Sequence, residues 1–146
     1  MGVYTYSVWI AASPQQVWSM YADPERVPDW QTGRPHIAEV HGPAGEAGSS
    51  YVSRRGPLTA RTTVVSSGAP ALLVTSTDAY IGLRLVVTSR LTERAGGTEL
   101  SLTAETRWPQ RRRLLGHLVD RVVLNRREAD KELSNLKRVV EGEAVS

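Results

Sequence analysis

Three arginines are the side chains of this sequence best suited to stabilise negative charge on a reacting molecule. Arg54 and Arg61 lie in adjacent predicted strands, and Arg126 lies among the apolar positions of a long C-terminal helix. A guanidinium group stays charged at neutral pH and offers a fork of donors, which suits an oxygen atom on which negative charge develops. We therefore take Arg54, Arg61 and Arg126 as candidate catalytic residues.

The other common catalytic groups are missing from the sequence or are poorly placed. The chain has no cysteine, and His36, His41 and His117 do not have the spacing of a zinc site. Neither HExxH nor GxSxG occurs, and no glycine-rich loop is followed by the lysine and serine of a phosphate-binding loop. We predict no metal and no cofactor, so stabilisation of a developing negative charge would depend on an arginine.

The sequence leaves open whether the strand arginines point inward or outward. A one-residue slip in register moves Arg61 from the interior to solvent, and the same holds for Arg54 and Arg55. The alternative for each is a solvated arginine paired with an acidic neighbour. Arg126 has a similar alternative, because its long side chain can reach water from a buried stripe.

Alternation of apolar and polar residues predicts seven strands. The first covers 3–11, and the other six cover 37–41, 49–55, 59–66, 72–78, 83–92 and 99–108, with glycine and proline turns between them. Short connections indicate an antiparallel sheet. After the first strand, Ser13 and Pro14 begin a short helix, and a second helical turn follows at 24–30.

The long helix, predicted for 110–141, carries one apolar stripe and therefore has one buried face. The stripe consists of Leu115, Leu118, Val122, Ala129, Leu133, Leu136 and Val140. Charged residues off the stripe, Glu128 and Glu132 among them, are expected on a solvated face. A curved sheet covered by one helix with a small residue at mid-stripe is expected to enclose a cavity.

We expect this cavity to bind an apolar molecule through side chains on the inner faces of the sheet and the helix. The predicted ligand-binding residues are Trp30, Tyr51, Leu83, Leu85, Val87, Leu102, Trp108, Leu118 and Val122. Trp30 ends a turn that is expected to be exposed. We therefore place Trp30 at the cavity rim, with a position in the core as the alternative.

Length and composition fit one globular domain over residues 1–146, with 40% hydrophobic residues and a formal net charge of +3. Basic and acidic residues alternate instead of forming a block, which argues against nucleic acid as a partner. No apolar run reaches membrane-spanning length, and the N-terminus lacks the pattern of a secretion signal. We expect a cytoplasmic protein without stable membrane insertion.

Residues 11–30, AASPQQVWSMYADPERVPDW, resemble the N-terminal motif of the START-like or SRPBCC superfamily. GGTEL at 96–100 and LSNLKRVVE at 133–141 resemble later motifs of the same superfamily. The resemblance covers nearly the whole chain and most suggests the polyketide cyclase/dehydrase and lipid-transport branch. It implies an α+β helix-grip fold, in which a curved seven-stranded antiparallel sheet, two short helices and one long C-terminal helix enclose a cavity.

Several functions follow from this resemblance. In the aromatase/cyclases of this group, a cavity arginine with tyrosine and serine partners orients the polyketide and stabilises an enolate. The alternatives are a carrier or sensor of an apolar ligand and, third, a protein that only mediates interactions, since one fold hosts many functions. We favour the cyclase or dehydratase, for which polar side chains should converge in the cavity. The expected partner is a hydrophobic small molecule, and a homodimer is left open.

Overall fold

An antiparallel sheet forms the body of the protein in the computed structural model, which describes residues 2–79, 82–108 and 126–145. Within these residues the sheet has seven strands in the order β1-β7-β6-β5-β4-β3-β2. The strands are β1 (Gly2–Ile10), β2 (His36–His41), β3 (Ser50–Arg55), β4 (Leu58–Gly68), β5 (Leu72–Asp78), β6 (Arg84–Arg94) and β7 (Gly97–Arg107). Strands β2 to β7 form a meander, and β1 pairs with the last strand.

Short helical segments connect β1 to β2. They are α1 (Pro14–Tyr21), a 3-10 turn (Pro24–Arg26) and α2 (Val27–Trp30). A capping box begins α1, because the Ser13 side chain accepts from Gln16 N while Gln16 Oε1 accepts from Ser13 N at 3.0 Å. Asp23 caps the 3-10 turn through a bond from Glu25 N at 3.0 Å. Side chains close in sequence therefore cap the N-termini of both α1 and the 3-10 turn.

Two shifts in register interrupt the pairing of the strands and contribute to the curvature of the sheet. The pairing of β4 with β5 shifts register between Val64 and Ser66, and the pairing of β2 with β3 shifts between Ala38 and His41. A bulge bends its strand and increases the local twist. The sheet therefore gains a concave face that a helix can cover.

Helix α3 (Arg126–Val145) packs its apolar stripe onto the core. Leu133, Leu136 and Val140 are 3%, 0% and 2% exposed and belong to one cluster of buried residues with Ile10 and Leu100. Polar contacts fix the far end of α3. Glu141 accepts from Ala11 N at 2.7 Å, and Arg26 lies 2.7 Å from Glu143.

The fold predicted from the sequence is confirmed. Each strand begins and ends within three residues of its prediction, and the long C-terminal helix lies against the sheet. The predicted beginning of that helix at 110, with Leu115, His117, Leu118 and Val122, lies outside the described residues. No helix in the described part of the chain is long and apolar enough to span a membrane.

The GGTEL motif has a steric explanation at Gly97, the first residue of β7. A Cβ atom at this position would lie 2.5 Å from the carbonyl oxygen of Ile10 and 2.6 Å from the Trp9 ring. Glycine therefore allows β7 to approach the end of β1, where Thr98 Oγ1 donates to Ala12 O at 2.8 Å. The motif serves strand packing and has no contact with the cavity described below.

Candidate ligand-binding and catalytic site

A cavity of about 580 Å³ lies between the concave face of the sheet and the helices α2 and α3. This volume is within the range of small-molecule sites. Apolar side chains make most of the wall, among them Tyr6, Val27, Val64, Leu73, Ala104, Ala129 and Leu133. The small side chain of Ala129 lies on this wall, at the position where the sequence predicts a gap.

Seven of the predicted ligand-binding residues lie on the cavity wall: Trp30, Tyr51, Leu83, Leu85, Val87, Leu102 and Trp108. The other two, Leu118 and Val122, lie outside the described residues. Leu85 and Val87 share the inner face of β6, as the alternating pattern predicts. Their contact with a ligand stays a prediction.

The register of β3 and β4 directs Arg54 and Arg61 away from the cavity. Tyr51, Ser53 and Arg55 line it from β3, so the intervening Arg54 points to the outer face. Residues 60, 62 and 64 line it from β4, and Arg61 therefore points outward too. The guanidinium groups of Arg54 and Arg61 each lie 3.7 Å from Glu39 on β2. Both side chains therefore follow the solvated alternative. The expectation that Arg54 or Arg61 reaches the cavity is corrected.

Arg126 also lies outside the cavity, although it continues the line of the helix stripe. Its side chain is 76% exposed and lies 4.0 Å from Asp130. Its guanidinium carbon lies over the Tyr6 ring, 5.8 Å from the ring centroid. The long side chain reaches solvent from the start of α3, so Arg126 does not line the cavity and our expectation is corrected here too.

Trp30 forms part of the inner wall and does not lie at the rim. It is 7% exposed, and its ring centroid is 5.5 Å from that of Tyr21. Asn135 of α3 donates to the Trp30 carbonyl at 3.2 Å, so the helix covers the turn that we expected to be exposed. Among described residues, Trp30 Nε1 is the only buried side-chain nitrogen or oxygen without a hydrogen-bond partner.

A polar pair, Arg55 and Glu132, interrupts the apolar wall. Arg55 Nη2 donates to Gln31 Oε1 at 2.6 Å and lies 3.8 Å from Glu132 Oε1. Thr32 Oγ1 donates to the same Glu132 oxygen at 2.9 Å. No described residue donates to Glu132 Oε2. The carboxyl group is therefore held through one oxygen, and its second oxygen is left for another partner.

Burial raises the pKa of the Glu132 carboxyl above its ordinary value, although Thr32 and Arg55 act in the opposite direction. A carboxylate in an apolar wall loses hydration, which penalises its charged form. A carboxyl group with a raised pKa accepts and returns protons more readily near neutral pH. Glu132 is thus the described cavity residue best suited to proton transfer.

Glu132 is half-buried on the cavity wall, which corrects the prediction of a solvated face for this residue, whereas Glu128 also borders the cavity but is exposed as predicted. Both lie one position before a stripe residue, Ala129 or Leu133. The flank of α3 that carries them faces the segment after α2, where Thr32 holds Glu132. Helical periodicity identifies the buried stripe but does not show which flank a neighbouring segment covers.

Hydroxyl groups add further polar features in and next to the wall. Tyr21 Oη and Ser89 Oγ are 2.7 Å apart, and Thr62 Oγ1 and Thr77 Oγ1 are 2.8 Å apart. Burial raises the pKa of both Tyr21 and Tyr51, so both phenols are neutral donors at physiological pH. The charge on Glu132 adds to the effect at Tyr21, and the Arg55 guanidinium opposes it at Tyr51. The charged pair and the two phenols therefore influence one another electrostatically.

Sequence reasoning missed Tyr21, Ser89 and Glu132 and left Arg55 open. Ser89 carried a usable signal, because it interrupts the apolar inner face of β6 between Val87 and Leu91. His36 and His41 lie on the exposed strand β2. Among the described residues, no group of His, Cys, Asp or Glu side chains is arranged to hold a metal ion.

Solved structures with the same architecture cover nearly all of this chain. A Rhodobacter sphaeroides protein, 20% identical, has a TM-score of 0.71 over 96% of this chain and 93% of its own. DynU16, described as a protein of the dynemicin biosynthetic locus, is 20% identical with a TM-score of 0.71 over 97% of this chain, which spans 48% of DynU16. The Aha1 dimer from Colwellia psychrerythraea is 16% identical with a TM-score of 0.64, over 97% of each chain.

The sequence also matches a family model. No curated protein matches the chain. The model for polyketide cyclase / dehydrase and lipid transport matches residues 1–141. Together with the helix-grip fold and the apolar cavity, this match supports a ligand-binding protein. The chain belongs to the polyketide cyclase/dehydrase and lipid transport family, within the SRPBCC superfamily.

Proposed function

We propose that this protein binds an apolar, carbonyl-bearing small molecule in its cavity and catalyses the cyclisation or dehydration of an enolisable, polyketide-type substrate. The observation that carries the proposal is the Arg55–Glu132 pair in a mostly apolar wall, with one carboxyl oxygen free of described donors. A proton acceptor beside a fixed cation is what enolate formation requires.

Each group has a defined part in the proposed reaction. The Glu132 carboxylate removes a proton from the carbon next to a substrate carbonyl, and the Arg55 guanidinium donates to the enolate oxygen that forms. The enolate carbon then bonds to a second carbonyl carbon of the same molecule, and the resulting alkoxide takes the proton back from Glu132. For dehydration, the Glu132 carboxylate removes another proton from the carbon next to the carbonyl, and the carboxyl group so formed gives that proton to the hydroxyl group, which leaves as water while the carbon–carbon double bond forms. Cyclisation is thus an isomerisation, and dehydration releases one water.

The surroundings of the pair favour this chemistry. The Glu132 side chain is 24% exposed and that of Arg55 is 42% exposed, so the carboxyl group is partly shielded from water while the guanidinium group keeps contact with solvent. A fixed guanidinium group close to the developing charge stabilises it. Arginine does not titrate in the working range, whereas the raised pKa of Glu132 suits proton transfer. The Tyr51 phenol, on the same strand as Arg55, offers a further neutral donor.

A non-catalytic carrier is the second candidate, and a specific observation favours it. The Thr62 and Thr77 hydroxyls bond to each other, which satisfies polar groups without a ligand. Such a wall can hold an apolar molecule without reacting with it. The two candidates share the binding site and differ in turnover.

Val87→Trp should abolish binding of a neutral, environment-sensitive dye such as Nile red. Val87 lies on the cavity wall, and an indole at this position fills space that the dye needs. We expect the dissociation constant to rise at least about tenfold, a difference of about 1.4 kcal/mol, in a fluorescence titration.

Val65→Trp is the matched control, because Val65 is 58% exposed on the outer face of the same sheet. It should bind the dye like the wild type. Equal affinities for wild type and Val87→Trp, with both variants folded by circular dichroism, would show that the dye binds elsewhere.

A turnover assay separates the enzyme from the carrier. The wild type is mixed with a short poly-β-keto mimic, and the cyclised or dehydrated product is followed by mass spectrometry. Acceleration over the buffer rate supports the enzyme. Binding of the mimic without acceleration replaces the enzyme with the carrier.

A further inference from the structure

Tyr21 on the cavity wall shares a buried hydrogen bond with a serine of the sheet, at a position where packing alone would favour an apolar side chain. Ser89 is 1% exposed on the inner face of β6. Its register neighbours are Leu73 on β5 and Leu102 on β7, and both line the cavity. The Ser89 hydroxyl is 2.7 Å from that of Tyr21, which lines the same cavity from the end of α1. A serine in this leucine layer costs apolar burial, so the hydroxyl pair needs an explanation.

The pair has one hydrogen more than its mutual bond uses. Each hydroxyl carries one donor hydrogen, and the bond between the two oxygens employs one of them. No described residue other than these two shares a hydrogen bond with either hydroxyl. One O–H hydrogen is therefore left to donate to another acceptor, and buried donors are rarely left unpaired in folded proteins.

The protein fixes the phenol of Tyr21 in place. Its ring packs against Trp30 with centroids 5.5 Å apart, and Trp30 is held in turn by Asn135. Ser89 can donate to the phenol oxygen, which directs the phenol hydrogen away from the sheet. Of the two side chains, that of Tyr21 lines the cavity, so we assign the hydrogen that is left to donate to the phenol of Tyr21.

We infer that Tyr21 and Ser89 form a hydrogen-bonding subsite for a carbonyl oxygen of the ligand, with Ser89 donating to Tyr21 and Tyr21 donating to the ligand. This inference rests on the proposed function only in taking the cavity as the ligand site. It narrows the ligand class to ketone-bearing molecules, such as polycyclic ketones, in preference to plain hydrocarbons or unsubstituted acyl chains. The subsite is separate from the Arg55–Glu132 pair and would bind a second oxygen of the substrate.

Fluorene and 9-fluorenone test this subsite, because they have the same three-ring frame and differ by a CH₂ group in place of a C=O group. Dissociation constants are measured for both probes by competition with Nile red. The wild type should bind fluorenone about three- to tenfold more tightly than fluorene, the effect expected of one neutral hydrogen bond. Tyr21→Phe should remove this preference while leaving the affinity for fluorene within about twofold.

Two further variants make the test independent of folding effects. Ser89→Ala should lower the preference for fluorenone by about two- to threefold, because the phenol remains but loses its orienting partner. Tyr4→Phe is the matched control, since Tyr4 packs against the core and does not line the cavity. It should keep the full preference.

The outcomes separate the subsite from the proposed function. Equal preference for fluorenone in the wild type, Tyr21→Phe and Ser89→Ala would overturn the subsite and leave the cavity proposal standing. Parallel loss of affinity for both probes in Tyr21→Phe would assign the pair a structural role only. Failure of the wild type to bind either probe would overturn the ligand cavity and the subsite with it.

Discussion

Glu132→Gln should lower the rate of cyclisation by about 10²- to 10⁴-fold, the usual contribution of a positioned acid or base. Glutamine keeps an oxygen that can accept from Thr32, whose hydroxyl lies 2.9 Å from Glu132 Oε1, so the local structure should persist. Arg55→Met should cost about 10²- to 10³-fold, because the enolate oxygen loses a charged donor. Initial rates with the poly-β-keto mimic measure both effects.

Arg54→Met provides a matched control for Arg55→Met. The two arginines are consecutive, but the strand directs Arg54 to the outer face, 3.7 Å from Glu39. Arg54→Met should therefore keep the wild-type rate within about twofold. If Arg54→Met and Arg55→Met lower the rate equally, the assignment of the catalytic arginine from strand parity is wrong.

The Glu132 variant should also separate catalysis from stability. Because folding raises the pKa of this carboxyl, the native protein favours its protonated form. The stability linked to that proton is fully present below the ordinary carboxyl pKa and is lost as pH rises through the raised pKa of the folded state. At neutral pH the carboxylate therefore destabilises the protein. Glu132→Gln should be at least as stable as the wild type in urea unfolding at pH 7, and the wild-type rate should rise with pH across the raised pKa.

Leu136→Ala should lower the free energy of unfolding by about 2 to 5 kcal/mol, as expected for truncation of a buried leucine. Leu136 is 0% exposed and lies on α3 between Leu133 and Val140, within the cluster that joins the helix to α1 and the sheet. The side chain does not line the cavity, so the truncation leaves a new void. Urea unfolding followed by circular dichroism measures the change.

Leu58→Ala is the control for this stability effect. Leu58 begins β4 and is 55% exposed, so its truncation should cost well under 1 kcal/mol. A Leu136→Ala protein as stable as the wild type would contradict the packing of α3 against the core.

The fold could be predicted from the sequence because its signals are local and repeated. Alternating residues specify strands, and the Ser13–Pro14 start specifies a helix within a few positions of the chain. Glycine and proline turns limit how the strands connect, which leaves an antiparallel sheet as the simplest solution. The apolar lining of the cavity follows from the same alternation, as Leu85 and Val87 illustrate.

The polar part of the site depends on relations that no local pattern contains. Arg54 and Arg55 differ by one residue, and only the pairing of β3 with its neighbours determines which one faces the cavity. Glu132 and Thr32 are 100 residues apart in the chain, so nothing near Glu132 indicates its partner. Trp30 is buried because it packs in one cluster with Leu133 of the last helix, and Asn135 of that helix donates to its carbonyl group. These contacts form only when α3 closes over the sheet.

Intermolecular nuclear Overhauser effects test the central claim, that the cavity holds the ligand, most directly. The protein is labelled at its leucine and valine methyl groups and saturated with 9-fluorenone. We expect cross-peaks from the ligand to the methyl groups of Leu85, Val87 and Leu102 on the cavity wall, and none to those of Val40 and Val65, which are 41% and 58% exposed. Cross-peaks to Val40 or Val65 without any to the three cavity residues would contradict it.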